Sequence, residues 1–280
     1  MTDTSGLPEI HGQIEDGARI LNTRTFSERF ARRFKKDLPL YILCLPALIL
    51  LFAFKYFPMY GNIIAFKRFS PRDGFWGSEW VGLKHFISFF SGPYFWRVTR
   101  NTLLLGFWSL LITFPAPIVL ALLMNELKSQ AYKRVIQTIS YMPHFISTVI
   151  IIGMLKELTS VINGPINDII AQVGFEKINF FVRPEWFRPM YIGSAVWQGV
   201  GFSTIIYLAA LAGVDIQLYE ASIVDGAGRW KQAIHITLPG IMPTIVILFI
   251  LSIGQLVSND FTKILLMYNP ATYSTADVIG

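Results

Sequence analysis

Runs of apolar residues too long for a soluble core constrain this chain more than any other feature. Residues 38–58, 102–123, 136–155 and 190–212 each approach the roughly 20 apolar residues that a helix needs to cross a bilayer. A fifth run starts near Ile241, just after Pro239; its clean stretch, 245–253, is short, and the helix is expected to continue through Gln255 and Ser258. In hydrocarbon every backbone donor and acceptor must be satisfied within the segment, so runs of this kind are read as helices. The expected fold class is all-α, a polytopic membrane protein.

Composition agrees. Of 280 residues 53% are hydrophobic and 15% charged, where soluble domains carry about 25% charged residues. Aromatic residues make up 15%, and they suit the membrane–water boundary. The net charge of +6 invites a nucleic-acid reading, but the basic residues sit in short stretches between apolar runs. Membrane lipid is therefore the expected partner of that charge and nucleic acid is not. The single cysteine, Cys44, lies in an apolar run, which leaves no disulfide and no cysteine-based metal site within the chain. No cleavable signal peptide is read, because the first 37 residues are polar and the first apolar run is too long.

Residues 1–37 are expected to form a cytoplasmic N-terminal segment and residues 38–280 the transmembrane domain. Phe26, Phe30 and Phe34 recur every four residues and predict an amphipathic surface helix. Seven basic residues lie between Arg19 and Lys36, against Lys67, Arg68 and Arg72 shortly after the first span, which favours the N-terminus inside. Alternation then places 125–135 and 213–240 in the cytoplasm and 59–100 outside. The six basic residues of 59–100 run against the rule, which long translocated loops obey poorly. The aromatic clusters at 75–80 and 94–96 fit an interface, and 163–187 fits a cap or short helical excursion on the outer face.

The segment between the fourth and fifth runs is the most informative. Asp215 can cap a helix starting near Ile216, Ala221 and Ser222 keep one side of it low, and Asp225-Gly226 is a turn signal that ends it. A second amphipathic stretch, 230–236, leads to Pro239. The expectation is a helix–turn–helix on the cytoplasmic surface, with glycines where another protein's backbone can come close. Glu220, Ala221, Ser222, Gly226, Ile236, Leu238 and Pro239 then match a pattern of Glu-Ala-Ala, three residues, Gly, nine residues, Ile-x-Leu-Pro. In this the chain resembles the type I importer permeases of the ATP-binding-cassette class, with Ser222 standing where the pattern has its second Ala. The stretches 80–86, 101–103 and 141–147 are similar to sugar-importing permeases, the last of them to the polysaccharide and alginate-importing branch.

The resemblance implies a permease that does no chemistry, with no catalytic residue, no metal and no cofactor bound by this chain. Its coupling residues would be Glu220, Ala221, Ser222, Asp225 and Gly226. ATP would be used by two partner ATP-binding subunits that dock on 213–240. A second homologous permease would complete the pathway, and an extracytoplasmic solute-binding protein would deliver an oligosaccharide or polysaccharide. A permease with both ends inside has an even number of spans, about six, so the sixth is expected to be truncated or absent from these residues.

Polar side chains inside spans mark a pathway or helix–helix contacts. Ser252, Gln255 and Asn259, spaced i, i+3, i+7, are expected on one face of the fifth helix, and Ser194 and Gln198 beside Trp197 on the fourth. Amides suit sugar hydroxyls and an indole suits a sugar ring; packing between helices is the other reading. His144 is expected to pack at a proline kink and His235 to lie on the surface. A secondary transporter or channel working without an ATPase is the alternative function. It would need charged residues well inside the spans, whereas Lys55, Lys156 and Glu157 lie near span ends. A membrane enzyme is disfavoured, because no phosphate-binding loop, zinc motif or nucleophile set is present in the sequence.

Overall fold

The computed structural model describes residues 26–279, with side chains from residue 35 onward. It divides into two compact units, one ending at Phe90 and the other beginning at Ser91. The basic N-terminal stretch up to residue 25, and the side chains of the three phenylalanines read as an apolar stripe, lie outside the described residues.

In the first unit, helix α1 (Phe26–Leu51) runs straight into the first span, so Phe26 and Phe30 belong to the spanning helix and not to a separate element. The helical path continues through a wide turn (Phe52–Tyr56) and a tighter one (Tyr60–Phe66), giving a span of Lys35–Phe66, longer at both ends than expected. The wide turn has a cause. Pro58 has no N–H to offer the carbonyl four residues back, and the Phe57 amide reaches to Phe52 instead. None of this span's apolar window is buried within the chain. After it come two short antiparallel strands, β1 (Lys67–Arg68) and β2 (Glu79–Trp80), paired Lys67 to Trp80 and Arg68 to Glu79. Ser78 ties their connection, donating to the Gly74 carbonyl at 2.6 Å and accepting from the Ser70 amide at 3.1 Å. Phe66 stacks on Trp80 and meets Phe86 of helix α2 (Lys84–Phe90). The aromatic loop is thus an ordered hairpin.

The second unit opens with α3 (Phe95–Thr113) and α4 (Pro115–Asn125), which together make one span of 31 residues. The third predicted span is not a single helix. Helix α5 (Gln130–Tyr141) passes through a tight turn (Met142–Phe145) and breaks at Ile146, and α6 (Thr148–Leu158) leaves at 101° to it. Pro143 weakens the ladder, Ile146 turns extended, and Ser147 caps the new helix by accepting from the Ile150 amide. Helix α7 (Pro165–Gln172) follows, the excursion expected within 163–187. Its Asn167, fully buried, donates to the carbonyls of Thr159 and Ile178 and accepts from the Ile178 amide.

Helix α8 (Pro184–Leu211) is the centre of the unit and touches α3, α4 and α5. The coupling segment supplies α9 (Ile216–Val224) and α10 (Arg229–Gln232), and a wide turn (Ala233–Thr237) leads into α11 (Leu238–Gly254), which also packs on α8. Helices α12 (Phe261–Met267) and α13 (Tyr273–Ala276) are too short to cross a membrane. Among the described residues four helices are long and apolar enough to span, five if the bent pair is one span.

Lipid tails are as apolar as leucine, so helix association here depends on close packing and polar links more than on hydrophobic burial. Two apolar clusters centre on α8. One gathers Leu105, Ile152, Phe187, Tyr191 and Met267; the other gathers Ile118, Ala121, Tyr207, Leu211 and Ile241. Between them α8 comes into backbone contact with α5 at Gly201, where a Cβ would lie 2.0 Å from the Ser140 carbonyl oxygen. Thr204, one turn on and fully buried, donates to the Pro117 carbonyl of α4 at 3.3 Å. Gly201→Ala is therefore expected to cost about 1–3 kcal/mol through overpacking, read as a lower unfolding midpoint in detergent. Gly199→Ala, whose Cβ meets nothing within 4 Å, should leave the midpoint in place.

Candidate functional site

The coupling segment folds as its residues predict. Asp215 caps α9, its carboxylate accepting from the Gln217 amide at 2.9 Å. The helix stops at Asp225, and Gly226 takes φ +74°, a left-handed conformation that glycine adopts at no steric cost. A Cβ at Gly226 would meet nothing within 4 Å, so the glycine is demanded by the turn, and the space above it is open to a partner. Glu220, Ala221, Asp225 and Gly226 are exposed, while Ser222 is half-buried against the second arm. Ile216, Ile223, Val224 and Trp230 are also exposed, an apolar surface beside Glu220. Arg229 lies 3.8 Å from Glu126, placing the end of α4 and this segment at the same end of the bundle. The pair is solvent-exposed and contributes at most about 1 kcal/mol.

A cavity of about 360 Å³ opens along α3, α8 and α11. Its polar wall includes Ser109, Ser203, Ser252, Gln255, Ser258 and Asn259, and none of its lining residues is charged. Ser109 Oγ and Asn259 Nδ2 are buried without a hydrogen-bond partner.

The six residues predicted for the pathway divide. Ser252, Gln255 and Asn259 line the cavity together, but not as one helical face, because α11 ends at Gly254 and a turn carries Gln255 and Ser258 across the cavity's end. That turn is held against α3 by Gly106, whose Cβ would stand 1.9 Å from the Leu256 carbonyl oxygen. Ser194, Trp197 and Gln198 are not in the cavity wall. Ser194 is buried and donates to the Tyr191 carbonyl within its own helix. Gln198 donates to the Ile146 carbonyl at 3.1 Å, satisfying the helix break, and Trp197 is half-exposed. Ala195 and Gly199 occupy the cavity face of α8 instead. His144 stacks parallel on Phe202 at 3.9 Å, and His235 is exposed, its Nδ1 3.0 Å from the Lys231 carbonyl oxygen.

The sequence reading missed Lys263. It is 3% exposed, with Nζ 3.4 Å from Gln198 Oε1 and 5.7 Å from the Tyr191 ring centroid. Its only sequence signal is Asp260 three residues earlier, whose carboxylate caps α12 by accepting from the Lys263 amide. It also missed a basic group at the Phe95 end of α3. Arg97 pairs with Asp277, and Arg188 on α8 donates to Asn101 Oδ1 at 3.0 Å. Tyr268 donates to the same Asp277, and that hydrogen bond pushes its hydroxyl up to about 12, so it stays a donor.

A helical bundle with a neutral polar cavity and an exposed helix–turn–helix of this signature defines a transporter permease. Residues 113–272, more than half of the chain, match the family described as binding-protein-dependent transport system inner membrane component, and the chain belongs to that family. It is a multi-pass inner-membrane permease subunit of an ATP-binding-cassette importer, and is not itself an enzyme. Protein LplB of Bacillus subtilis is 47% identical over 244 residues, which is 87% of this chain and 77% of that protein. The polygalacturonan/rhamnogalacturonan transport system permease protein YteP of the same organism is 48% identical over 239 residues, 85% of this chain and 74% of that protein. A bacterial transporter that imports the acidic polysaccharide alginate contains a chain of the same fold, with TM-score 0.82 and 43% identity over 90% of this chain and 84% of that one.

Replacing both Gln255 and Asn259 with Leu should lower uptake by about tenfold or more, the loss of one or two net hydrogen bonds to a polar solute. Assembly should hold, since the Asn259 amide nitrogen has no protein partner to lose. Uptake by reconstituted vesicles, beside yield of the assembled complex, checks this.

Proposed function

We propose that this chain forms, with a second homologous permease, the membrane path for an acidic oligosaccharide or polysaccharide of alginate-like character, and is driven through residues 213–240 by two ATP-binding subunits. The N-terminus and the coupling segment face the cytoplasm, an extracytoplasmic solute-binding protein delivers the saccharide to the opposite end, and ATP is bound by the partners and not by this chain. The observation that carries the reading is the coupling signature itself, folded as a capped helix, a left-handed Gly226 turn and a second arm, with Glu220 and the open side of Gly226 exposed.

The substrate class has its own support. The cavity offers neutral amides and hydroxyls, which suit a polyhydroxylated solute that must also leave. At the far end of the bundle from the coupling segment, Arg97, Arg100 and Arg188 lie within the first two turns of α3 and α8, and one carboxylate, Asp277, pairs with Arg97. Surplus positive charge at a cavity's approach raises the local concentration of a polyanion. The alginate importer's structure has been determined with a periplasmic protein carrying an alginate pentasaccharide, and a chain of that complex is 42% identical to this one over 90% of its length. A carrier working alone and coupled to ions through charged residues in its spans gains no support: the cavity lining carries no charge, and the buried Lys263 sits in α12, outside the cavity wall.

The test is co-purification of tagged wild type, Gly226→Asp and Glu220→Ala from detergent, with ATPase rates measured beside uronate and neutral oligosaccharides. Wild type is expected to bring down an ATPase and a second permease and to be stimulated by the uronate. Both variants should lose at least severalfold of substrate-stimulated transport. A wild-type chain that purifies alone and moves substrate without ATP would sink the reading.

A further inference from the structure

Ser222 stands where the signature has an alanine, and it is also the residue that joins the two arms of the coupling segment. Its hydroxyl donates to the Tyr219 carbonyl at 2.8 Å and accepts from Gln232 Nε2 at 3.0 Å. The Gln232 carbonyl in turn accepts from Thr237 Oγ1 at 3.3 Å, and Thr237 Oγ1 shares a hydrogen bond with the Tyr219 hydroxyl at 2.9 Å. The four residues close a ring. Tyr219 and Ser222 sit on α9, Gln232 ends α10, and Thr237 is the buried residue immediately before α11. Helix α11 then carries Leu248 and Ser252 into the cavity wall.

We propose that the ring of Tyr219, Ser222, Gln232 and Thr237 is a clamp that makes α9 and the root of α11 move as one body, with Ser222 as the positioning residue that closes it. The inference rests on 213–240 being the segment on which the ATPases act. Between the arms the Gly226 turn is tied to α9, because the Gly226 and Ala227 amides donate to the Ile223 and Ser222 carbonyls. Gly228, next along the chain, is the glycine at which the backbone can swivel and absorb a push on α9. The exposed Arg229–Glu126 pair is too weak to prevent that. The side-chain ring, half-buried at Tyr219 and Ser222 and closed to solvent at Thr237, bypasses the swivel and carries displacement of α9 to the cavity-lining helix. An alanine at 222 keeps the helix and leaves Glu220 and the open side of Gly226 in place, but it removes two bonds of the ring, so that only the Tyr219–Thr237 bond still joins the arms and the loss of coupling is partial.

The experiment uses the complete importer reconstituted in vesicles, carrying Ser222→Ala, Gln232→Leu or both, and reads saccharide moved per ATP hydrolysed together with ATPase recovered on purification. Alanine favours the helix, so assembly is retained. The expected result is full ATPase recovery and a hydrolysis rate within about twofold of wild type. Transport per ATP should fall about three- to tenfold in each single variant, in line with one or two lost hydrogen bonds, and no further in the double, since both remove the same link. Wild-type stoichiometry in Ser222→Ala, or multiplicative losses in the double, would overturn the clamp. So would loss of the ATPase from Ser222→Ala, which would make the residue part of the docking surface. A wild-type complex recovered without an ATPase would instead remove the docking reading beneath it.

Discussion

The contact on which the rest of the second unit depends is the approach of α8 to its neighbours at Gly201 and Thr204. Helices in lipid gain little from burying apolar surface against one another, so what holds them is how near their backbones come and which polar links they make. Gly201 lets α8 touch the Ser140 carbonyl, and Thr204 hydrogen-bonds to the Pro117 carbonyl one turn further on. With α5 and α4 held there, the opposite side of α8, at Ala195 and Gly199, is left facing open space. The cavity occupies that space, bounded by α3 and α11. Packing and pathway are two faces of one helix.

The breaks in the helices follow the same economy. A carbonyl freed inside a membrane bundle needs a donor from the protein, because water is scarce. At the bend between α5 and α6 that donor is the Gln198 amide, which meets the Ile146 carbonyl, and Ser147 serves the amides at the start of α6. At the end of α11 the turn over 255–258 is closed by its own backbone bonds and wedged against α3 at Gly106. Each break redirects polar side chains. The first engages Gln198 with a freed carbonyl, and the second brings Gln255 and Asn259 to the cavity wall.

The coupling segment and the cavity are joined by α11, whose root holds Thr237 and whose far end holds Ser252. The segment is an exposed apolar and acidic surface on a stiff element, suited to receiving force. The cavity is uncharged and lined by hydroxyls and amides, suited to weak, multiple contacts with a hydrated solute. The arginines lie at the opposite end from the coupling segment, outside the uncharged cavity wall.

Much of this was legible in the residues themselves. The Asp215 cap, the Asp225-Gly226 turn and four of the five apolar runs are local properties, set by side-chain chemistry and backbone preference within a few residues, and the fold bears them out; the run at 136–155 is broken at Ile146. Partner choice across the bundle is not local. Polarity marked Ser194, Trp197 and Gln198 as a face of α8, yet only the packing at Gly201 decides that Gly199 faces the cavity while Gln198 satisfies a broken helix. Lys263 lies outside every apolar run, and its burial against Tyr191 and Gln198 exists only once α12 has folded back onto α8. The chain's own sequence determined that it crosses a membrane and carries a coupling helix; which polar groups meet a solute and which meet each other was decided by tertiary structure, because in lipid an unpaired polar group takes whichever partner the packing brings within reach.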